Sequence, residues 1–310
     1  MDRKTELDRF GVLLLIGISA HFAFNQVVIK WVNDGLQPVF FAGIRSLGAV
    51  FCIWVWMIWN GRPLRFEPGT IGAGVLVGLF FGLEFLLLFK AIDETSLIHT
   101  AILFNTMPLW LAIAAHFFLP GQHLTRRKAV GLLIAFAGVA WAMSARSDAG
   151  QATLRGDLYA LGAALGWAST AFMARGSVLK RVLPEMQLFW MVLVSGLMLT
   201  AVSPFFGPLI RNWQPVYLVG VLFQIVFVVS AGFILWLWVL ATYPPADVAG
   251  FGFLTPIFGV VFGWAIMGET IGPSMIAAAL LVALGLIMVT RAPTPGAGKS
   301  GISGQTAGDR

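Results

Sequence analysis

The chain has 310 residues, of which 58% are hydrophobic and only 11% charged, with a mean hydropathy of +0.86, whereas soluble domains carry roughly 25% charged residues. A water-soluble globule is excluded, because the apolar residues come in runs of about twenty, long enough to cross a ~30 Å hydrocarbon core as helices. The excess of 20 Lys and Arg over 14 Asp and Glu is a topological signal rather than a nucleic-acid footprint, and the single cysteine, Cys52, excludes an intrachain disulfide or a cysteine-built metal cluster.

Windows of about nineteen residues predict an all-α polytopic membrane protein. Its ten transmembrane helices fall near 10–32, 37–59, 70–92, 95–119, 125–144, 156–178, 184–206, 215–241, 246–267 and 271–291. The first run, Phe10 to Val32, is too long for a signal-peptide core and is retained as a span. Residues 1–9 form a cytoplasmic N-terminus, 10–144 a first five-helix unit, 145–155 an extracytoplasmic connector and 156–291 a second five-helix unit. Residues 292–310, rich in Gly, Ser, Thr and Pro, are expected to be a disordered cytoplasmic tail.

Ten spans put both termini on one side, and Lys and Arg then divide 14 to 5 in favour of that side, with Arg45 left inside a span. By the positive-inside rule both termini are cytoplasmic and the protein is a multi-pass component of the cytoplasmic (inner) cell membrane. The sequence also repeats. Gly11 to Val28 lies over Gly156 to Met173, so that His21-Phe22 faces Gly166-Trp167, and Asn105 to Pro108 lies near Phe253 to Pro256. A repeat of five spans inverts its second copy, an architecture that transporters use to expose one central site to either side in turn.

Depth follows from a rise of ~1.5 Å per residue. His21 and Asn25 stand one helical turn apart, about 16 and 22 Å from the cytoplasmic end, and so bracket the bilayer midplane. Asn105 and Thr106, Trp167 and Thr170, Gln224 and Ser230, and Thr255 fall at comparable depth. Polar groups at that depth face the bundle interior. They line a cavity or, for the hydroxyls, bond to their own helix. His99 falls near the outer end of its span and is a candidate for an outer vestibule. Pro108 and Pro256 occupy corresponding spans and suggest paired hinges or gates, with a static packing kink as the alternative.

Arg45 and Glu84 are the clearest intramembrane charges, at nearly one depth on adjacent spans. They are read as a structural ion pair, with substrate or proton binding by Glu84 as the competing reading. Gly74, Gly78 and Gly82, like Gly259 and Gly263, recur every fourth residue and allow close helix approach. Most of the 12 tryptophans are interfacial anchors. Trp167 is deeper and offers a face to apolar, aromatic or cationic groups.

No metal, cofactor or nucleic-acid partner is expected. Gly298-Lys299-Ser300 mimics the end of a phosphate loop, but Pro293 stands at the first glycine position and a membrane helix precedes it. No nucleophile, acid or metal constellation shares one depth, so an enzyme is not expected; the alternatives are a transporter of another small organic solute or cationic drug and, from another class, a channel or scramblase or an intramembrane enzyme.

The run Leu254-Thr255-Pro256, Gly259, Gly263, Gly268-Glu269-Thr270 and the small-residue helix to Gly285, with a fainter first-half copy at Ala101, Pro108, Gly131 and Gly138, resembles the drug/metabolite transporter superfamily in its ten-helix, two-EamA-domain form. The first half departs from the pattern at Pro120-Gly121-Gln122, where the usual Gly-Glu is lost. The aromatic-rich chain is most similar to bacterial exporters of amino acids, including aromatic ones, and of some cationic drugs. The resemblance implies two inverted repeats and alternating access. Substrate would be an amino acid or similar small molecule, bound by His21, Asn25, Glu84, His99, Asn105, Trp167, Thr170, Gln224 and Thr255. Its partners would be that substrate and the lipid bilayer; a homodimer is left open.

Overall fold

The structure is a computed structural model and describes residues 6–118, 124–144, 152–243, 248, 251–252 and 254–290. The expectations for Pro120-Gly121-Gln122, for 145–151 in the connector and for the tail lie outside those residues.

The helices are α1 (Arg9–Asn33), α2 (Pro38–Trp59), α3 (Ile71–Glu94), α4 (Leu97–Phe104), α5 (Met107–Phe118), α6 (Arg126–Ser144), α7 (Leu154–Gly176), α8 (Pro184–Val202), α9 (Tyr217–Phe223), α10 (Phe233–Thr242), α11 (Leu254–Ala265) and α12 (Pro273–Thr290). A π-helical stretch, Gln224–Gly232, joins α9 to α10 without a break. Among the described residues the helices are linked by turns, and the one isolated β-bridge pairs Leu36 with Ile210.

Helix starts carry their sequence signals. Asp8 accepts from the Gly11 amide at 2.7 Å, and Thr153 from that of Gly156 at 3.0 Å; Pro38 and Pro184 open α2 and α8, where a missing N–H leaves no bond unmade. Span four departs from its expected continuity. It breaks at Asn105-Thr106, because the Asn105 amide takes the Ala101 carbonyl at 2.7 Å, the Thr106 hydroxyl takes that of Leu103 at 2.6 Å, and Pro108 has no N–H to offer.

Eight helical stretches are long and apolar enough to cross a membrane: α1, α2, α3, the Leu97–Phe118 run, α6, Pro184–Phe206, Tyr217–Leu240 and α12. The 23-residue α7, with Arg155, Asp157 and Arg175, and the 12-residue apolar α11 complete the bundle. The largest apolar core lies among α2, α3 and α8, around Phe41, Ile53, Met57, Phe89, Val192 and Leu199. Large apolar side chains such as Leu13, Phe51, Leu133, Leu197 and Leu280 point outward, as a surface facing hydrocarbon requires.

Corresponding helices of the two halves pack on one another: α2 on α8, α4 on α11, and α6 on α12. Gly43 lies against Thr200 while Gly196 lies against Leu47, and Gly131 faces Met288 while Gly138 faces Ala278. As one chain rises its counterpart descends, so α2/α8 and α6/α12 are antiparallel pairs. Helix α3 packs along α7, and α1 packs on α9, the π stretch and α11.

Candidate functional site

A chain of buried polar groups crosses the middle of the bundle and joins the two halves. The side-chain amide of Gln224, at the start of the π stretch, donates to Asn25 Oδ1 at 2.5 Å and to the Asn25 carbonyl at 3.2 Å. Its side-chain oxygen accepts from Arg45 Nη1 at 3.4 Å. One turn before Asn25, His21 Nε2 lies 3.2 Å from the Phe227 carbonyl inside the same stretch, and its half-buried ring packs on Phe22 and Phe223. Local departures to i→i+5 bonding recur at functional sites. Here the departure places Gln224 and the Phe227 carbonyl opposite the polar face of α1.

Arg45 is fully buried at 0% exposure and Glu84 at 2%. The Arg45 guanidinium carbon sits 4.1 Å from the centroid of the Phe85 ring and 4.9 Å from that of Phe89, an arrangement that stabilises a desolvated cation. The expected direct ion pair is not formed: no nitrogen–oxygen approach within 4.0 Å joins Arg45 to Glu84. Phe85 and Phe89, one turn apart on α3, face Arg45, whereas Glu84 faces α7, where a Cβ at Gly166 would come within 2.9 Å of the Glu84 Cα. The Thr170 hydroxyl, bonded to the Gly166 carbonyl at 3.0 Å, also reaches the Glu84 carboxyl. Arg45 Nε and Nη2 and Glu84 Oε2 have no hydrogen-bond partner.

A second cluster closes one end of the bundle around the α3–α4 turn. Glu269, in the loop between α11 and α12, accepts from the amides of Leu97 at 2.6 Å and Ile98 at 2.9 Å and lies 3.6 Å from Lys30 Nζ. It thus caps α4 from the opposite half, satisfying donors that a helix start leaves open. Lys30 also donates to the Thr95 carbonyl at 2.8 Å. Beside them Asp157 Oδ1 accepts from the Thr95 hydroxyl at 2.8 Å and meets His99 Nδ1 at 3.0 Å, all of it buried. Arg211 clasps both oxygens of Asp93 at 2.7 and 2.9 Å and donates to the Asn33 carbonyl at 3.0 Å. The bonds to Asp93 raise the Arg211 pKa above its ordinary value, so this clasp stays charged.

The expected site residues therefore separate. His21, Asn25 and Gln224 come together, and Glu84 meets Thr170 next to Gly166. Trp167 is half-buried on α7. Asn105 is turned onto its own helix, and Thr255 is half-buried at the start of α11. His99 belongs to the end cluster with Asp157. Pro108 and Pro256 both stand in the first turn of a helix, α5 and α11, rather than at a mid-helix kink. Sequence reasoning missed Asp157, Lys30, Asp93 and Arg211 as partners. It held Glu269 only within a motif; the α4 start carries its own cap, Ser96, which takes the His99 amide at 3.1 Å, so the two amides before it that Glu269 binds left no signal in the sequence. Among the described residues no group of three His, Cys, Asp or Glu side chains converges as a metal site would require.

Comparison with known proteins gives this geometry its context. The chain is 26% identical over 317 residues to the uncharacterized transporter YvbV of Bacillus subtilis, covering 95% of this chain and 96% of the relative. It is 25% identical over 295 residues to a probable amino-acid metabolite efflux pump of Salmonella typhimurium, covering 92% and 94% of the two chains. A solved crystal structure superposes with a TM-score of 0.62 at 17% identity, covering 89% of this chain and 96% of that one. The EamA-like transporter family matches twice, over residues 9–144 and 154–291. With both halves accounted for, the chain belongs to the EamA-like transporter family.

Proposed function

We propose that the protein is a secondary carrier that exports amino acids and related small metabolites across the cytoplasmic membrane, with both termini in the cytoplasm. Its ten crossings are the eight long apolar stretches together with α7 and α11, and its halves are inverted copies. One observation carries the reading. Helices holding the same place in each half pack antiparallel, α2 on α8 and α6 on α12, which is what a pseudo-twofold axis in the membrane plane demands. The Asn25–Gln224–Arg45 chain lies across that axis, between units that would rock against each other. The end cluster supports the orientation, since Lys30, Lys90, Arg155 and Arg211, assigned outside by charge counting, all stand near it. The name of the Salmonella relative supports the substrate class.

In this reading substrate occupies the interface between the halves, oriented by His21, Asn25 and Gln224, with Trp167 accepting its side chain. The breaks before Pro108 and Pro256 give each half a place to bend. The test is counterflow in proteoliposomes with a panel of labelled amino acids. Saturable exchange is expected. Asn25→Ala and Trp167→Ala should each lower it about tenfold or more with unchanged membrane insertion. Flux without saturation would make the protein a channel, and full exchange in both variants would remove the site assignment.

A further inference from the structure

The two ring nitrogens of His21 meet different surroundings. Nε2 lies 3.2 Å from the Phe227 carbonyl, and a carbonyl oxygen only accepts, so Nε2 carries the ring proton. In the neutral imidazole Nδ1 is then a bare acceptor. It has no hydrogen-bond partner among the described residues, yet, unlike the buried orphan atoms of Arg45, Glu84 and His99, it is not closed off by protein. Gly232 permits this placement, because a Cβ there would come within 2.9 Å of the Phe227 carbonyl and 3.3 Å of His21 Nε2.

The space beside the ring has a direction. Helix α1 is buried on every side from Asn25 to Ile29. Before that stretch Gly17, His21 and Phe24, which share one helical face, are exposed or half-buried, and a Cβ at Gly17 would meet nothing within 4 Å. Span four changes in the same way: Leu97 to Leu103 are all buried in α4, whereas in α5 only Leu109 and Ala115 are. The bundle is shut at the end held by Glu269 and looser toward the other, and His21 stands where the opening stops. A polar ring at that depth faces protein or water, not hydrocarbon. The Phe223 ring centroid lies 5.6 Å from that of His21, and those of Phe24 and Phe227 each lie 5.9 Å from Phe223. Phe24 is 38% and Phe227 58% exposed, so ring surface is open there too.

A lone pair takes an N–H donor, and aromatic faces attract a cation. A protonated amine meets both conditions; a carboxylate has no proton to give and is repelled by the ring faces. Resting on the carrier reading above, we infer that His21 determines specificity: its Nδ1 accepts from the ammonium group of the substrate at the head of a vestibule open toward the cytoplasmic end. Phe24, Phe223 and Phe227 give that charge its aromatic surroundings. The Phe227 carbonyl and Gly232 are positioning groups that fix the tautomer. The substrate class narrows to compounds with a free amine, and N-acylated amino acids and simple carboxylates are excluded.

The experiment follows thermal unfolding of the full-length protein in detergent with phenethylamine, its N-acetyl derivative and 3-phenylpropionate, and runs counterflow of labelled amino acids alongside. The amine should raise the unfolding midpoint at a concentration at least about tenfold below that needed by either of the others, because a site built to hydrogen-bond one group rejects the analogue lacking it. His21→Gln can still donate to the Phe227 carbonyl but holds no acceptor at the place of Nδ1; it should unfold near the wild-type temperature and lose the amine preference. His21→Asn can set its oxygen at the place of Nδ1 but is too short for the carbonyl; it should be less stable and keep the preference. The wild-type comparison decides the matter even if neither variant inserts. Equal stabilisation by all three compounds, or by none, overturns the subsite, and saturable counterflow then leaves the carrier reading standing. Amine selectivity without saturable counterflow keeps the subsite and removes the carrier reading.

Discussion

The two halves cross each other at equivalent places, and the crossings are built differently. In one, the first helix of the second half, α7, lies along α3, and Gly166 lets it press onto the Glu84 backbone. In the other, the first helix of the first half, α1, meets the π stretch, and the residue facing Gly166 in the repeat is His21. Its ring stands against the Phe227 carbonyl and near Gly232. A glycine brings backbones into contact and fixes them by packing. A histidine holds them a side chain apart, with a polar bond in place of the seam. The α3–α7 crossing behaves as a weld, and the α1–π crossing as the joint at which Asn25 and Gln224 gather.

Substitution at Gly166 should break that contrast most severely. A Leu there would drive its Cβ into the Glu84 Cα at 2.9 Å, where neither backbone has room to give; overpacking of this kind costs about 1–3 kcal/mol. Thermal unfolding in detergent should show Gly166→Leu far below wild type, with His21→Leu at the matching place close to it. Equal losses would mean that the two crossings are mechanically alike. Next in size is Gln224→Leu, which leaves Arg45 Nη1 and Asn25 Oδ1 without their bonds; losing hydrogen bonds to a charged group costs about 2 kcal/mol. Its stability should fall between those of the two variants above, and its amino-acid counterflow should fall with it. A Leu carrier that exchanged at wild-type rate would show that the joint needs no polar link.

Much of this arrangement was legible in the sequence because hydrocarbon imposes a simple rule. A helix must be apolar for about twenty residues, so the boundaries of α1, α2, α3, α6 and α8 fall within a few residues of the expected spans. The polar residues that meet inside the bundle were equally visible, since His21, Asn25 and Gln224 stand out against apolar runs. Rotation about each helix axis was not legible. Arg45 and Glu84 share a depth, but depth says nothing of azimuth, and it is the facing of Phe85 and Phe89 toward Arg45 that keeps the pair apart. Nor could spacing reveal that Asn105 would bond to its own helix, or that Glu269 would reach α4 across 171 residues of sequence. Such contacts depend on how two halves dock, and one strand of sequence records only the pieces.

The same contrast extends to the ends of the bundle, where the smallest effects are expected. At one end Glu269 reaches across the halves to two amides of α4 and to Lys30; at the other, the Tyr243 hydroxyl donates to Asp8 at 2.9 Å. Glu269→Gln keeps the shape but replaces one carboxylate acceptor by an amide that must turn a donor toward an N–H, and a lost cap costs about 1 kcal/mol. Tyr243→Phe removes one hydrogen bond to the Asp8 carboxylate, a change of about 1.5 kcal/mol at this partly exposed end. If the Glu269 end is a latch, the loss should appear as exposure more than as instability. A cysteine placed at Leu97 in a Cys52→Ser background should react several-fold faster with a membrane-impermeant maleimide when Glu269 is Gln, and at an unchanged rate when Tyr243 is Phe. An unchanged rate in the first case would reduce Glu269 to a local helix cap, and acceleration in both would mean that the two ends open together rather than in turn.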